Sequence, residues 1–221
     1  MSMNAFKKTD KPTQHAMINS DLMVALINLS GRQRMLSQRI VLNILFSAHQ
    51  PQAIVQAKEA LTLFVQTHTL LVNGNHEYPG ICFDALEKVL FGPDHNEAKI
   101  QQFIQRCTHA IDTFERSASL PESVIQTLGE EAGMIVTILN QVTMTYEHES
   151  KRCELVRRKK QESLMHSIQK IAKEAKIVSF NAQVIAARSG SAGKEFAVVA
   201  SVMTDITNEI EQLVAAAMTS T

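Results

Sequence analysis

The residues best suited to chemistry lie at 26–40, LINLSGRQRMLSQRI, where Arg32, Arg34 and Arg39 interrupt an apolar helical pattern just after Gly31. A guanidinium is planar, permanently charged and forks paired N–H donors, so it suits a carboxylate or a small oxyanion. Two stripes at helical spacing run through this segment. Leu22, Leu26, Leu29, Leu36 and Ile40 form one and are expected to face a core. Met23, Ile27, Gly31, Arg34, Gln38, Val41 and Leu45 form the other, apolar at both ends and polar in its centre. A bundle helix needs one buried stripe; a second asks for a partner, most simply another copy of the chain. In such a dimer both Arg34 side chains approach the two-fold axis, and two unpaired cations in a desolvated seam repel. They require a carboxylate of the protein or a small anion from solution. No acid occurs between Asp21 and Glu59, so this helix supplies no counter-charge of its own. Gly31, one turn before Arg34, leaves space for an anion or a partner helix at the backbone. Arg34 paired with a carboxylate from elsewhere in the chain, or extended to water, is the competing possibility.

The elements that position these residues are helical. Trp is absent, Tyr occurs twice and Gly eight times in 221 residues, while Gln, Ala, Leu, Ile, Met and Glu dominate, as helices prefer. Apolar periodicity predicts a helix from His15 to about His49, ended by Pro51, and a second over 52–72, ended by Asn73-Gly74. A Gly/Pro-rich connection follows with a short helix at 82–90, then a helix from Asn96 to Ser117. From Glu122 to Arg188 there is no proline and only Gly129 and Gly133, which predicts one very long helix continuing as a coiled coil. RSGSAGKE (188–195) breaks it, and the last segment folds back. The expected fold is all-α: a four-helix bundle whose last helix extends into an antiparallel hairpin. The expected divisions are a flexible N-terminus at 1–14, the bundle at 15–148 and the coiled-coil extension with its hairpin at 149–221.

Several functions are disfavoured. Lys+Arg and Asp+Glu are 22 each, so no net charge draws the chain to nucleic acid or an acidic membrane. The six basic residues between Lys151 and Lys160 are interleaved or flanked by Glu147, Glu149, Glu154 and Glu162, as on a solvated helix face. No apolar run is long enough to span a bilayer, and MSMNAFKKTDKPTQ lacks a signal peptide's apolar core. Cys82, Cys107 and Cys153 have no metal or redox spacing, so reduced thiols and a cytoplasmic location are expected. His76, Glu77 and Cys82 approach a metal set only weakly, and His109 falls on a different helix face from Cys107. Phosphate-loop, GxSxG and HExxH motifs are missing, and the ten methionines read as core filler. No enzyme and no cofactor is expected.

Two segments resemble known families. INLSGRQRMLSQRI, with Asn28, Gly31, Arg32, Gln33, Arg34, Met35, Leu36, Ser37, Gln38 and Arg39, resembles the motif of PilJ-type sensor domains of type IV pilus chemotaxis transducers. It is more loosely similar to the helical motif of nitrate/nitrite-sensing histidine kinases. The resemblance implies a helical bundle over about 15–145 that dimerises through this helix. It implies an anion of the nitrate or nitrite class held at the dimer axis by Arg34 and the Gly31 backbone; Gln38 and Ile27, on the same stripe, are weaker candidate contacts. IVSFNAQVIAARSGSAGKEFAVVASVM (177–203) resembles the hairpin tip of methyl-accepting chemotaxis proteins through Asn181, Ala182, Ala186, Ala187, Arg188, Gly190, Gly193, Lys194 and Phe196–Ala200. That resemblance implies a tip, including Val199, that binds a coupling protein, a histidine kinase or a chemoreceptor. Ile185 stands where that family usually has Glu, Glu174-Ala175-Lys176 replaces its Gln-Thr-Asn, and Glu195 replaces its glycine before Phe196. With Thr221 soon after the tip, no adaptation helices are expected, and the output is a shortened one. Two functions follow as expectations. One is a soluble, dimeric signal-transduction sensor relaying anion binding along its long helix; the other is a non-sensing scaffold docking through its tip, with Arg34 structural.

Overall fold

The computed structural model describes residues 18–219. Among these residues six α-helices occur in order: α1 Ser20–Phe46, α2 Ala53–Asn73, α3 Asp84–Phe91, α4 Asn96–Ser117, α5 Glu122–Arg188 and α6 Lys194–Thr219, with a 3-10 turn at Gly190–Gly193 between the last two. No strand occurs among the described residues. The chain divides into two compact units, Met1–Lys151 and Arg152–Thr221.

The first unit packs α1 to α4 and the N-terminal part of α5 around large apolar side chains. α1 is started by Asn19, whose Oδ1 accepts the Leu22 N–H at 2.8 Å, with Asp21 in the first turn. The expected start at His15 and the segment 1–14 lie outside the described residues; α1 starts at Ser20, after the extended Asn19, and closes at Phe46 rather than at His49. α2 ends at Gly74 as the Asn73-Gly74 pair predicts. There the chain makes a close loop: Asn75 Oδ1 accepts the amides of Glu77 and Tyr78, both at 2.8 Å, and Ile81 N–H donates back to the Val72 carbonyl at 3.2 Å. Gly74 and Gly80 meet backbone to backbone inside this loop. Leu26, Ile40 and Ile44 of α1, Phe64 of α2, Phe103 of α4 and Ile135 and Tyr146 of α5 are fully buried in the core.

One expectation is corrected here. Met23 and Val41, assigned to the partner-facing stripe, are 3% and 5% exposed and belong to this unit's own core. A helix flanked by several neighbours buries a face wider than a single three-four row, so residues beside the row are also covered. The outward remainder of the second stripe is Ile27, Gly31, Arg34, Gln38 and Leu45.

The second unit is an antiparallel hairpin made by the C-terminal part of α5 and by α6. Lys176 Nζ donates to Glu211 at 3.1 Å and Gln183 Nε2 to Thr204 Oγ1 at 3.3 Å, which fixes the register about the Gly190–Gly193 turn. Its buried seam is Ala172, Ser179, Ala186, Gly193, Ala200, Thr207 and Val214, one residue per heptad and nearly all small. Small residues let the helix backbones approach closely, and a strict seven-residue repeat keeps the seam aligned by left-handed supercoiling.

Two glycine substitutions test these contacts. An alanine at Gly80, which has φ +68, would place its Cβ 2.9 Å from the Val72 carbonyl oxygen and the Gly74 nitrogen. Gly80→Ala is expected to destabilise the first unit by about 2–3 kcal/mol in urea unfolding. A Cβ at Gly193 would overlap the Ala186 carbonyl, so Gly193→Ala is expected to open the tip and speed amide exchange around residues 186–200. Exchange at the wild-type rate would show that the seam does not depend on this contact.

Candidate anion site and signalling tip

The motif helix distributes its polar residues in different directions. Arg32, Gln38 and Arg39 are exposed, while Ile27, Gly31 and Arg34 are half-buried on one face. Arg34 reaches across to α5, where its Nη1 donates to Asn140 Oδ1 at 2.6 Å. The other terminal nitrogen folds back over Gly31, 3.6 Å from where a Cβ would stand. Arg34 and Gly31 are therefore brought together, with Ile27 on the same face, and Gln38 lies outward. Among the described residues Arg34 makes no ion pair. Its partner is a neutral carboxamide, which accepts one N–H but cancels no charge. Asn140 was not among the expected site residues. It stands in α5 beside buried Leu139 and Thr143, and no sequence spacing links it to a helix more than a hundred residues away.

A second polar group, also unforeseen from sequence, lies inside the bundle. Gln33 is 1% exposed and its Nε2 donates to the Phe64 carbonyl at 3.0 Å, while its Oε1 is buried without a hydrogen-bond partner. It borders a cavity of about 10 Å³ shared with Ser30 and His68, room for no more than one water. His68 stacks on Phe64 with ring centroids 6.2 Å apart, and its Nε2 lies 2.9 and 3.1 Å from the two carboxylate oxygens of Glu97. Glu97 also accepts from Gln101 Nε2 at 2.9 Å. Burial pushes the Glu97 carboxyl up, but the His68 hydrogen bond and charge, with Gln101, outweigh it and hold the group below its ordinary value.

Other reactive groups are kept protonated or apart. Burial, with Glu131 nearby, pushes the Cys107 thiol up to about 12, and burial with Cys82 nearby raises the Tyr146 phenol. Cys82, Cys107 and Cys153 form no disulfide. His76 and Glu77 sit on the outside of their loop whereas Cys82 is buried, and among the described residues no three His, Cys, Asp or Glu side chains gather as a metal set. An open groove of about 180 Å³ beside Arg106, His109 and Thr127 has its cation already paired with Glu131.

At the hairpin tip, Asn181, Arg188 and Gly190 are exposed, Phe196 and Val199 are 55% and 56% exposed, and Gly193 is buried in the turn. A second heptad row, Ile171, Val178, Ile185, Val199, Ile206 and Leu213, runs beside the buried seam and faces outward. Ile185 thus extends an apolar stripe where the similar tips place a carboxylate.

Residues 19–82 match the PilJ family model, described as type IV pili methyl-accepting chemotaxis transducer N-term. This segment is a PilJ-type N-terminal domain. It comprises α1, α2 and the glycine loop that follows, so both Gly31 and Arg34 fall inside the match while Asn140 falls outside it. The PilJ model describes a domain of chemotaxis transducers, which are signalling proteins. No curated protein and no solved structure matches the chain. No helix among the described residues is long and apolar enough to cross a membrane.

Glu97 gives this core a pH dependence whose direction is fixed. A carboxyl held below its ordinary value of 4.5 in the folded state contributes stability above that value and loses it as pH falls through the folded pKa. Glu97→Gln is expected to cost about 1–2 kcal/mol at pH 7. The gap from wild type should narrow on acidification below 4.5. Parallel stability curves for the two proteins between pH 7 and pH 3 would contradict this.

Proposed function

We propose that the protein is a dimeric signal-transduction sensor that binds a small oxyanion of the nitrate or nitrite class at Arg34 and Gly31 and passes the change to its hairpin tip. The observation that carries this reading is a half-buried guanidinium, folded over a glycine, with a neutral partner and no carboxylate among the described residues. Leaving such a charge uncompensated is costly, and a bound anion would compensate it through bidentate, charge-assisted hydrogen bonds. A dimer gains support from the outward row Ile171 to Leu213, an apolar stripe that a second hairpin would cover. The segment's PilJ type supports a sensory role. Arg34 is tied to α5, and α5 continues without a break to Arg188, so a small shift of that helix could be carried to the tip if it has two stable arrangements. A cytoplasmic setting, with a coupling protein, histidine kinase or chemoreceptor as the tip's partner, belongs to the same proposal.

The scaffold reading draws on the exposure of Phe196, Val199 and Ile185, a surface suited to a protein partner whether or not an anion binds. Calorimetric titration with nitrate, nitrite and chloride separates the two. The sensor reading expects about one oxyanion per two chains. It also expects Arg34→Ala to weaken binding by at least about tenfold, since charge-assisted hydrogen bonds are lost, while the variant stays folded and dimeric. Arg34→Lys should also bind poorly, because a point charge cannot fork two donors. No uptake of any anion, with Arg34→Ala dissociating or melting early, would make the motif structural and favour the scaffold.

A further inference from the structure

The Arg34 site contains a residue that the motif does not supply. We propose that Asn140 of α5 is the specificity-determining arm of this site, orienting the guanidinium and donating to the same oxyanion. The inference rests on the anion-binding reading above and deepens it.

Two observations carry it. The 2.6 Å bond from Arg34 Nη1 ends on Asn140 Oδ1, which fixes the sense of the carboxamide, because a guanidinium has only donors to offer. The Asn140 nitrogen, with two N–H donors of its own, is then left beside the guanidinium, and no hydrogen bond from it occurs among the described residues. Four of the five Arg34 N–H donors remain available, those on the second terminal nitrogen lying over Gly31. Arg34 and Asn140 are both half-buried, so they are partly shielded from water yet reachable from it.

The arrangement selects by ligand shape. A trigonal oxyanion has several acceptor oxygens and can take donors from Arg34 and Asn140 together, from two helices at once. Chloride accepts several donors only where they converge on one centre, so it gains less from an arm on a second helix than an anion with separate oxygens does. Asn140 therefore favours oxyanions over halides. It also makes α5, rather than the motif helix alone, a party to binding.

The test compares the full-length wild type with Asn140→Ala, Asn140→Asp and Arg34→Ala by calorimetry with sodium nitrate and sodium chloride, alongside thermal melts without added anion. Asn140→Ala should lower nitrate affinity about tenfold, one hydrogen bond's worth, and leave chloride nearly unchanged, so the nitrate-to-chloride ratio falls. Asn140→Asp is nearly isosteric but places a carboxylate against Arg34. It should abolish nitrate binding and raise the anion-free melting temperature, a pair of effects that a packing role would not produce. If wild type binds nitrate and Arg34→Ala does not, yet both Asn140 variants bind as wild type, the role of Asn140 is overturned while the anion site stands. If wild type binds no anion at all, both fall together.

Discussion

The first unit is organised around a positive charge that its own helix cannot neutralise. Arg34 sits part-way into the surface between α1 and α5, where full solvation is lost and no acid of the described residues reaches it. A side chain in that position needs acceptors for its donors, and it finds one, the Asn140 side-chain oxygen Oδ1. The contact is directional and links the two helices at this point, but a neutral acceptor does not cancel the charge. An unfinished interaction of this kind is costly for stability and useful for recognition.

The packing around it is built to hold that geometry. Gln33, one residue before Arg34, turns inward and ties α1 to the backbone of α2 at Phe64. Phe64 stacks on His68, and His68 pairs with Glu97 at the start of α4. Consecutive motif residues thus grip different neighbours, and α1 is fixed in rotation about its axis. Such fixation matters because one residue of helix rotation, about 100°, would carry Arg34 away from Asn140.

The two units solve helix packing differently. In the first, the large buried side chains Phe64, Phe103 and Tyr146 fill space between helices of different length, so shape complementarity defines the arrangement. In the second, a row of Ala, Ser, Gly and Thr permits close approach over several heptads and leaves the larger apolar residues outside. The hairpin therefore holds its own register through small residues and presents Ile, Val and Phe outward.

Much of this architecture is written locally. Asn73-Gly74 after α2, Pro121 ahead of α5 and the small-residue break at 189–193 all act within a few residues of themselves, so these helix ends are legible without any tertiary information, whereas the periodic pattern runs on from His15 and does not mark the Asn19 cap of α1. The PilJ-type motif is legible for the same reason, being one contiguous run. Which apolar residues of α1 face inward is less so: Met23 and Val41 look like a second face until several neighbours widen the buried one. Composition and local pattern suffice for an all-helical chain with a charged motif in an apolar helix and a glycine-broken hairpin. That Arg34 meets Asn140, that Gln33 turns inward to Phe64 and that His68 meets Glu97 emerge only once the helices are packed. Each of these pairs joins different helices, and the relative rotation of two helices depends on the packing of all their shared side chains, which no local pattern encodes.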